Sequence, residues 1–267
     1  MRIARGISIA NISKPISSAI VYDADAAAFF TAASITDTTQ KSAVNTLVLS
    51  LKSANIWTKM KALYPVVGGV ESAHAVNLKK PGTFNLTFQT GWTHASTGMT
   101  PNGATYADTF FTPTIDTDGT SHYSFYSRTN VTALSVVFGS HSIGPNYYYT
   151  YLTPRSSAGQ CGSAINENTG ELFTTPNSLG LFTLNRQNSN DYDVWINSIK
   201  QINTNKLSLG RSAFKIYLGA LNSNGTASNY STNQCAFFSA GLPLTDAEAS
   251  NFYNAVQNYQ TTLGRQV

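Results

Sequence analysis

Few residues in this sequence stand at spacings that do chemistry. Two acidic pairs come closest: Glu167 with Glu171, and Asp191 with Asp193. Glycoside hydrolysis needs two carboxylates flanking the scissile bond. The strand motif Glu-x-Asp-x-x-Glu, which would set acids along one face, is absent. Asn168-Thr-Gly170 reads as a turn that solvates the first pair, and the second pair reads as solvating a hairpin mouth. Asp116-Thr-Asp118-Gly119 looks like the start of a calcium loop, but no Glu stands at the twelfth position, so a plain turn is expected. His74, His94, His122 and His141 lack metal-ligand spacing. Gly139-Ser-His-Ser-Ile-Gly144 is not a nucleophile elbow, and neither a phosphate-binding loop nor a dinucleotide fingerprint occurs. The expectation is a chain that is not an enzyme and carries no metal and no cofactor.

The aromatic run is the more conspicuous feature. Tyr147, Tyr149 and Tyr151 share one face if the segment is a strand, and Tyr148 takes the other. A tyrosine offers flat apolar area with a polar tip, which suits an inward sandwich face, a subunit interface or a stacked sugar. Trp92 and His94 would likewise share a strand face, lining a groove or packing in the core. These six residues are the candidate binding residues.

The elements that must position them change character along the chain. Ile3, Ile7, Ile9, Ile12, Ile16 and Ile20 lie among small polar residues and suggest an extended arm over residues 1–22. Asp23 and Asp25 open an Ala-rich helix, where acids complement the dipole. A second helix starts near Thr36-Asp37, with Val44, Leu47, Val48 and Leu51 in one stripe. Ile56, Trp57, Met60, Leu63 and Tyr64 continue that spacing to Pro65, which predicts helix up to residue 64. From about residue 80 the period becomes 2, with Phe84, Leu86 and Phe88 alternating. Further strands are predicted at 121–127, 131–138, 146–152, 180–185, 191–196, 213–220 and 234–239, separated by turn clusters. Thr245-Asp-Ala-Glu248 is a capping box, followed by an apolar stripe through Phe252, Val256 and Tyr259, with Gly264 as the C′ residue.

Composition narrows the partners. Charged residues make up 11% of the 267, against about 25% in ordinary domains, while 42% are hydrophobic and 12% aromatic. Such a neutral, polar surface binds by packing rather than by charge. The net charge of +4 is scattered, which argues against nucleic acid. No run of 18 apolar residues spans a membrane. Cys161 and Cys235 are expected as buried free thiols rather than a disulfide framework.

Three segments carry a resemblance. Gly180-Leu-Phe-Thr-Leu-Asn-Arg186 and Tyr192-Asp-Val-Trp-Ile-Asn197 look like paired strands, although Ser198 stands where Gly is usual. Phe214-Lys-Ile-Tyr-Leu-Gly-Ala-Leu-Asn222 looks like the strand that follows. Phe237-Phe-Ser-Ala-Gly-Leu-Pro-Leu-Thr-Asp-Ala-Glu248 and its helix form the closure. From about residue 82 the chain resembles the laminin-G/concanavalin A-like jelly-roll family seen in phage and bacterial surface proteins. The resemblance implies a mostly β jelly-roll sandwich over residues 81–267, with a C-terminal helix. Residues 1–80 would form an N-terminal extended and helical anchoring segment. It also implies a bacteriophage virion structural protein, such as a capsid decoration, head-fibre or tail-associated subunit, assembled in the host cytoplasm. Its partners would be other virion proteins and further copies of itself. The alternative is a glycan-binding adhesin that acts on a host surface glycan.

Overall fold

The computed structural model describes residues 20–115, 119–144 and 147–267. Most of the expected extended arm and the calcium-loop start at residues 116–118 lie outside the described residues. Helices α1 (Ala24–Ala32) and α2 (Thr38–Ser53) come first, then strand β1 (Met60–Tyr64) and the single-turn α3 (Glu71–His74). The next strands are β2 (Thr87–Phe88), β3 (Trp92–Ala95), β4 (Gly98–Pro101), β5 (Ala107–Asp108), β6 (Ser121–Ser127), β7 (Phe138–Ser142) and β8 (Tyr148–Thr153). They continue as β9 (Gln160–Glu167), β10 (Glu171–Thr174), β11 (Gly180–Arg186), β12 (Tyr192–Ile196) and β13 (Ile199–Thr204). Then come β14 (Tyr217–Leu218), β15 (Leu221–Ser223), β16 (Thr226–Ser228), β17 (Cys235–Gly241) and helix α4 (Asp246–Thr262).

The strands form two facing sheets. The first runs β13-β12-β11-β6-β17-β4-β3, with β1 beside β17 in line with β4. The second runs β10-β9-β8-β7-β14-β5-β2, with β15 also paired to β7 and β16 to β15. Between the sheets lie Tyr123, Phe125, Phe138, Leu152, Ile165, Phe182, Leu184, Val194, Leu218 and Phe238. Alternation sends the intervening residues of the first sheet outward. There Tyr126, Leu181, Trp195 and Phe237 meet α1, α2 and α4 through Phe29, Leu47, Val48, Leu51, Phe252, Val256 and Tyr259. The helices thus cover one outer face, and among the described residues no such helical layer covers the outer face of the second sheet, which carries β7 and β8. The segment expected as residues 1–80 supplies β1 to the first sheet and α1 and α2 to the core shared with α4.

The predicted caps are present. Asp23 and Asp37 each accept a backbone N–H at the start of α1 and α2. Thr245 and Glu248 form the reciprocal capping box of α4. Gly264 follows in the left-handed region, φ 64°. Cys161 and Cys235 are both buried free thiols.

Several predicted elements differ. Met60–Tyr64 is a strand, because it is apolar on both sides: Met60 and Leu63 meet the helices, whereas Ala62 and Tyr64 enter the sandwich. That double burial imitates a helical stripe. The strand expected at 131–138 runs instead from 138 to 142, and the one at 213–220 shrinks to Tyr217–Leu218. The alternation from residue 83 yields only Thr87–Phe88, because Phe84 turns the backbone at φ 57°.

Candidate functional site

The outer face of the second sheet gathers the tyrosines. β8 pairs antiparallel with β7, placing Tyr149 opposite His141 and Tyr151 opposite Gly139. Thr150 and Leu152 point into the sandwich, so Tyr149 and Tyr151 point out. The His141 and Tyr149 rings stack at 3.9 Å and 9°. Tyr147 lies nearly parallel to the same imidazole at 5.8 Å, just ahead of the strand. Tyr151 stands edge-on to Tyr149 at 5.9 Å and 77°. Together these rings make a floor and a wall.

Small residues make room for that wall. A Cβ on Gly139 would meet Tyr151 Cβ and Leu221 Cδ1, each at 2.9 Å. One on Gly170 would meet the Tyr151 hydroxyl at 2.5 Å, and Gly162 lies beneath the same ring. The result is a groove of about 290 Å³ bounded by Tyr149, Tyr151, Leu134, Val136 and Leu221, with Thr153, Asn168, Thr169 and Asn229 at its margins. Its volume is at the small end of ligand pockets, about 300 Å³. No hydrogen bond among the described residues engages the side-chain amides of Asn168 or Asn229, or the hydroxyls of Tyr149 and Tyr151. None of the lining side chains is charged.

Burial keeps the aromatic groups neutral. It pushes the Tyr151 hydroxyl up to about 12, aided by the carboxylates of Glu167 and Glu171. Burial, with Tyr147 nearby, raises Tyr149, and burial lowers His141. His141 Nδ1 lies 3.2 Å from Ser223 Oγ, and its buried Nε2 has no partner among the described residues.

The other candidates go elsewhere. Tyr148 takes the opposite face of β8, with its ring against Gly210, where an added Cβ would clash. Trp92 and His94 share a face of β3 as expected, but they form a separate cluster with Phe88. There His94 Nδ1 meets His74 Nδ1 at 2.9 Å. Burial holds His74 down at about 3 and lowers His94, so both rings are neutral at ordinary pH and one Nδ1–H donates to the other Nδ1.

The acidic pairs are structural. The Glu167 carboxylate accepts the backbone N–H groups of Thr169 and Gly170, both at 2.7 Å, and Glu171 pairs with Lys206 at 3.2 Å. Asp193 does not solvate a hairpin mouth. It is buried, and Lys200 at 3.0 Å and Asn203 at 2.8 Å compensate it. Among the described residues, no group of three or more His, Cys, Asp or Glu is placed to hold a metal ion.

No protein-family model matches the sequence, and no curated protein sequence matches it. Solved structures do. A Trypanosoma rangeli sialidase aligns with TM-score 0.52 and 7% identity, over 80% of this chain and 38% of its own. A mutant of that sialidase displaying trans-sialidase activity aligns at 0.50 and 10%, over 80% and 39%. The binding domain of botulinum neurotoxin serotype D aligns at 0.49 and 12%, over 77% and 52%. The chain therefore spans about two fifths of the length of the sialidases it matches. At such identity the likeness shows the fold, a mostly β jelly-roll sandwich with a C-terminal helix. It also corrects the expectation of a chain that is not an enzyme. Chains sharing this sandwich include sialidases, so a missing two-carboxylate motif does not set this chain outside catalysis.

Sequence reasoning missed His141 as the stacking partner of Tyr149, because the contact depends on cross-strand register. It also missed Leu134, Asn168, Leu221 and Asn229, which three separate segments bring to the groove.

Proposed function

We propose that the chain recognises a glycan through the groove at Tyr149 and Tyr151. The observation that carries this reading is an aromatic floor and wall with unengaged amides at the margin. The apolar C–H face of a sugar ring packs on an aromatic ring, while its hydroxyls need donors and acceptors at the edge. Asn168 and Asn229 offer both from their amides. The fold is also used by proteins named as sialidases, which adds support for a carbohydrate ligand. The proposal takes up the host-surface receptor-binding alternative raised from the sequence and does not depend on a virion setting. No helix among the described residues is long and apolar enough to cross a membrane.

A glycan array probed with the purified chain and with Tyr149→Ala tests this. Discrete hits that weaken about tenfold in the variant are expected, the size of one good aromatic contact at about 1.4 kcal/mol. An array without hits, or hits indifferent to the substitution, would overturn the reading.

A further inference from the structure

We infer that the groove takes a neutral sugar ring, hydroxyl- or acetamido-bearing, and discriminates against sialylated and other acidic glycans. This rests on the glycan reading above and specifies its ligand class. A carboxylate-bearing sugar removed from water needs a cation or several N–H donors aimed at it. Among the described residues, the groove's lining offers hydroxyls, amides and hydrocarbon, and no Lys, Arg or His.

The nearby charged side chains have hydrogen-bond partners of their own. Lys206 Nζ donates to Thr169 Oγ1 at 2.7 Å at the margin of the groove, where it is paired with Glu171 at 3.2 Å. Arg155, two residues beyond Thr153, bonds Thr132 Oγ1 at 2.5 Å and the Thr175 carbonyl at 3.2 Å. Glu167, next to Asn168 in the chain, is buried, bonded to the backbone N–H groups of Thr169 and Gly170, and interacts with the buried Arg186. Glu167 and Glu171 both act on the Tyr151 hydroxyl, and both disfavour negative charge there. His141 lies beneath the floor, but its buried, depressed imidazole supplies no positive charge at neutral pH.

The size of the groove agrees. About 290 Å³ bounded by two rings and three aliphatic side chains suits one sugar ring rather than an extended anionic chain.

The test uses the full chain and one set of complex glycans immobilised in two forms, sialylated and enzymatically desialylated. Binding to the desialylated form at least tenfold tighter, and changing less than about threefold between 50 and 500 mM salt, is the expected result. Asn168→Lys, which places a cation at the rim, should narrow the ratio by raising binding to the sialylated form. Equal or tighter binding of the sialylated form by the unmodified chain overturns this inference while leaving the glycan reading intact. Binding to neither form overturns both.

Discussion

Tyr149 is held by His141 from below and by Tyr151 from the side, so its ring is presented rather than free to rotate. Its position on an outward face was legible in the spacing of Tyr147, Tyr149 and Tyr151. Its partners were not, because His141 reaches it only through the register of β7 with β8. The histidines also set the response to acid. His122 is buried, with Nδ1 2.6 Å from the Leu242 carbonyl oxygen, and burial lowers its pKa to about 4. In the unfolded chain the same group takes a proton near pH 6.5. Between those values the unfolded chain binds more protons, so stability falls as pH drops through that window. The loss from His122 alone approaches about 3 kcal/mol by pH 4, at about 1.4 kcal/mol per unit of pKa. His74 acts in the same direction to lower pH. Urea unfolding from pH 7 to pH 4 should show this decline, with a shallower slope in His122→Gln. An equal slope in the variant would remove His122 as the source.

Elements whose ends are marked by turn clusters were readable, and elements without that punctuation were not. β6, β11 and β12 lie within two residues of their predicted bounds, since turn clusters mark their ends. β1 escaped because apolar neighbours on both sides erased its alternation. β9 escaped for the opposite reason: Gly162, Ser163 and Ala164 carry little hydrophobic signal, and Gly162 is small because it lies under Tyr151 and Leu172. Helix α4 was plain from its capping box. Glu248 serves that box and also pairs with Lys59 at 2.5 Å, tying the helix to the segment before β1. Thr245→Ala should therefore cost about 1 kcal/mol in urea unfolding, the usual worth of an N-cap. A loss below a few tenths would mean that packing alone holds the helix start. Gly139 in β7 makes room for Tyr151 and Leu221. Gly139→Ala should push both side chains and weaken glycan binding with a smaller effect on folding; unchanged binding would show that the wall can yield.

At the scale of the whole molecule, one side chain links the layers. Arg265 is fully buried and donates to the carbonyls of Pro65, Val66, Ser96 and Ala236, at 2.8, 2.6, 3.2 and 3.0 Å. These carbonyls belong to the segment after β1, the turn before β4 and β17 itself. Arg265→Leu strands them without donors and should cost about 3–5 kcal/mol, with Arg265→Lys recovering little because an ammonium cannot span the fork. Denaturation of both variants checks this, and a loss under 1 kcal/mol would contradict it. No sequence pattern foretold that role, since a lone Arg past a helix reads as surface. The sandwich class itself was legible from many short strands and the closing helix. The groove was not, because it joins β8 to loops far away in the chain. The most direct test of the groove is NMR of the chain labelled at tyrosine rings and leucine methyls, titrated with a neutral glycan taken from the array. Shifts confined to Tyr149, Tyr151, Leu134 and Leu221 are the result the structure predicts. Shifts centred on the methyls of another face, with these four unmoved, would contradict it.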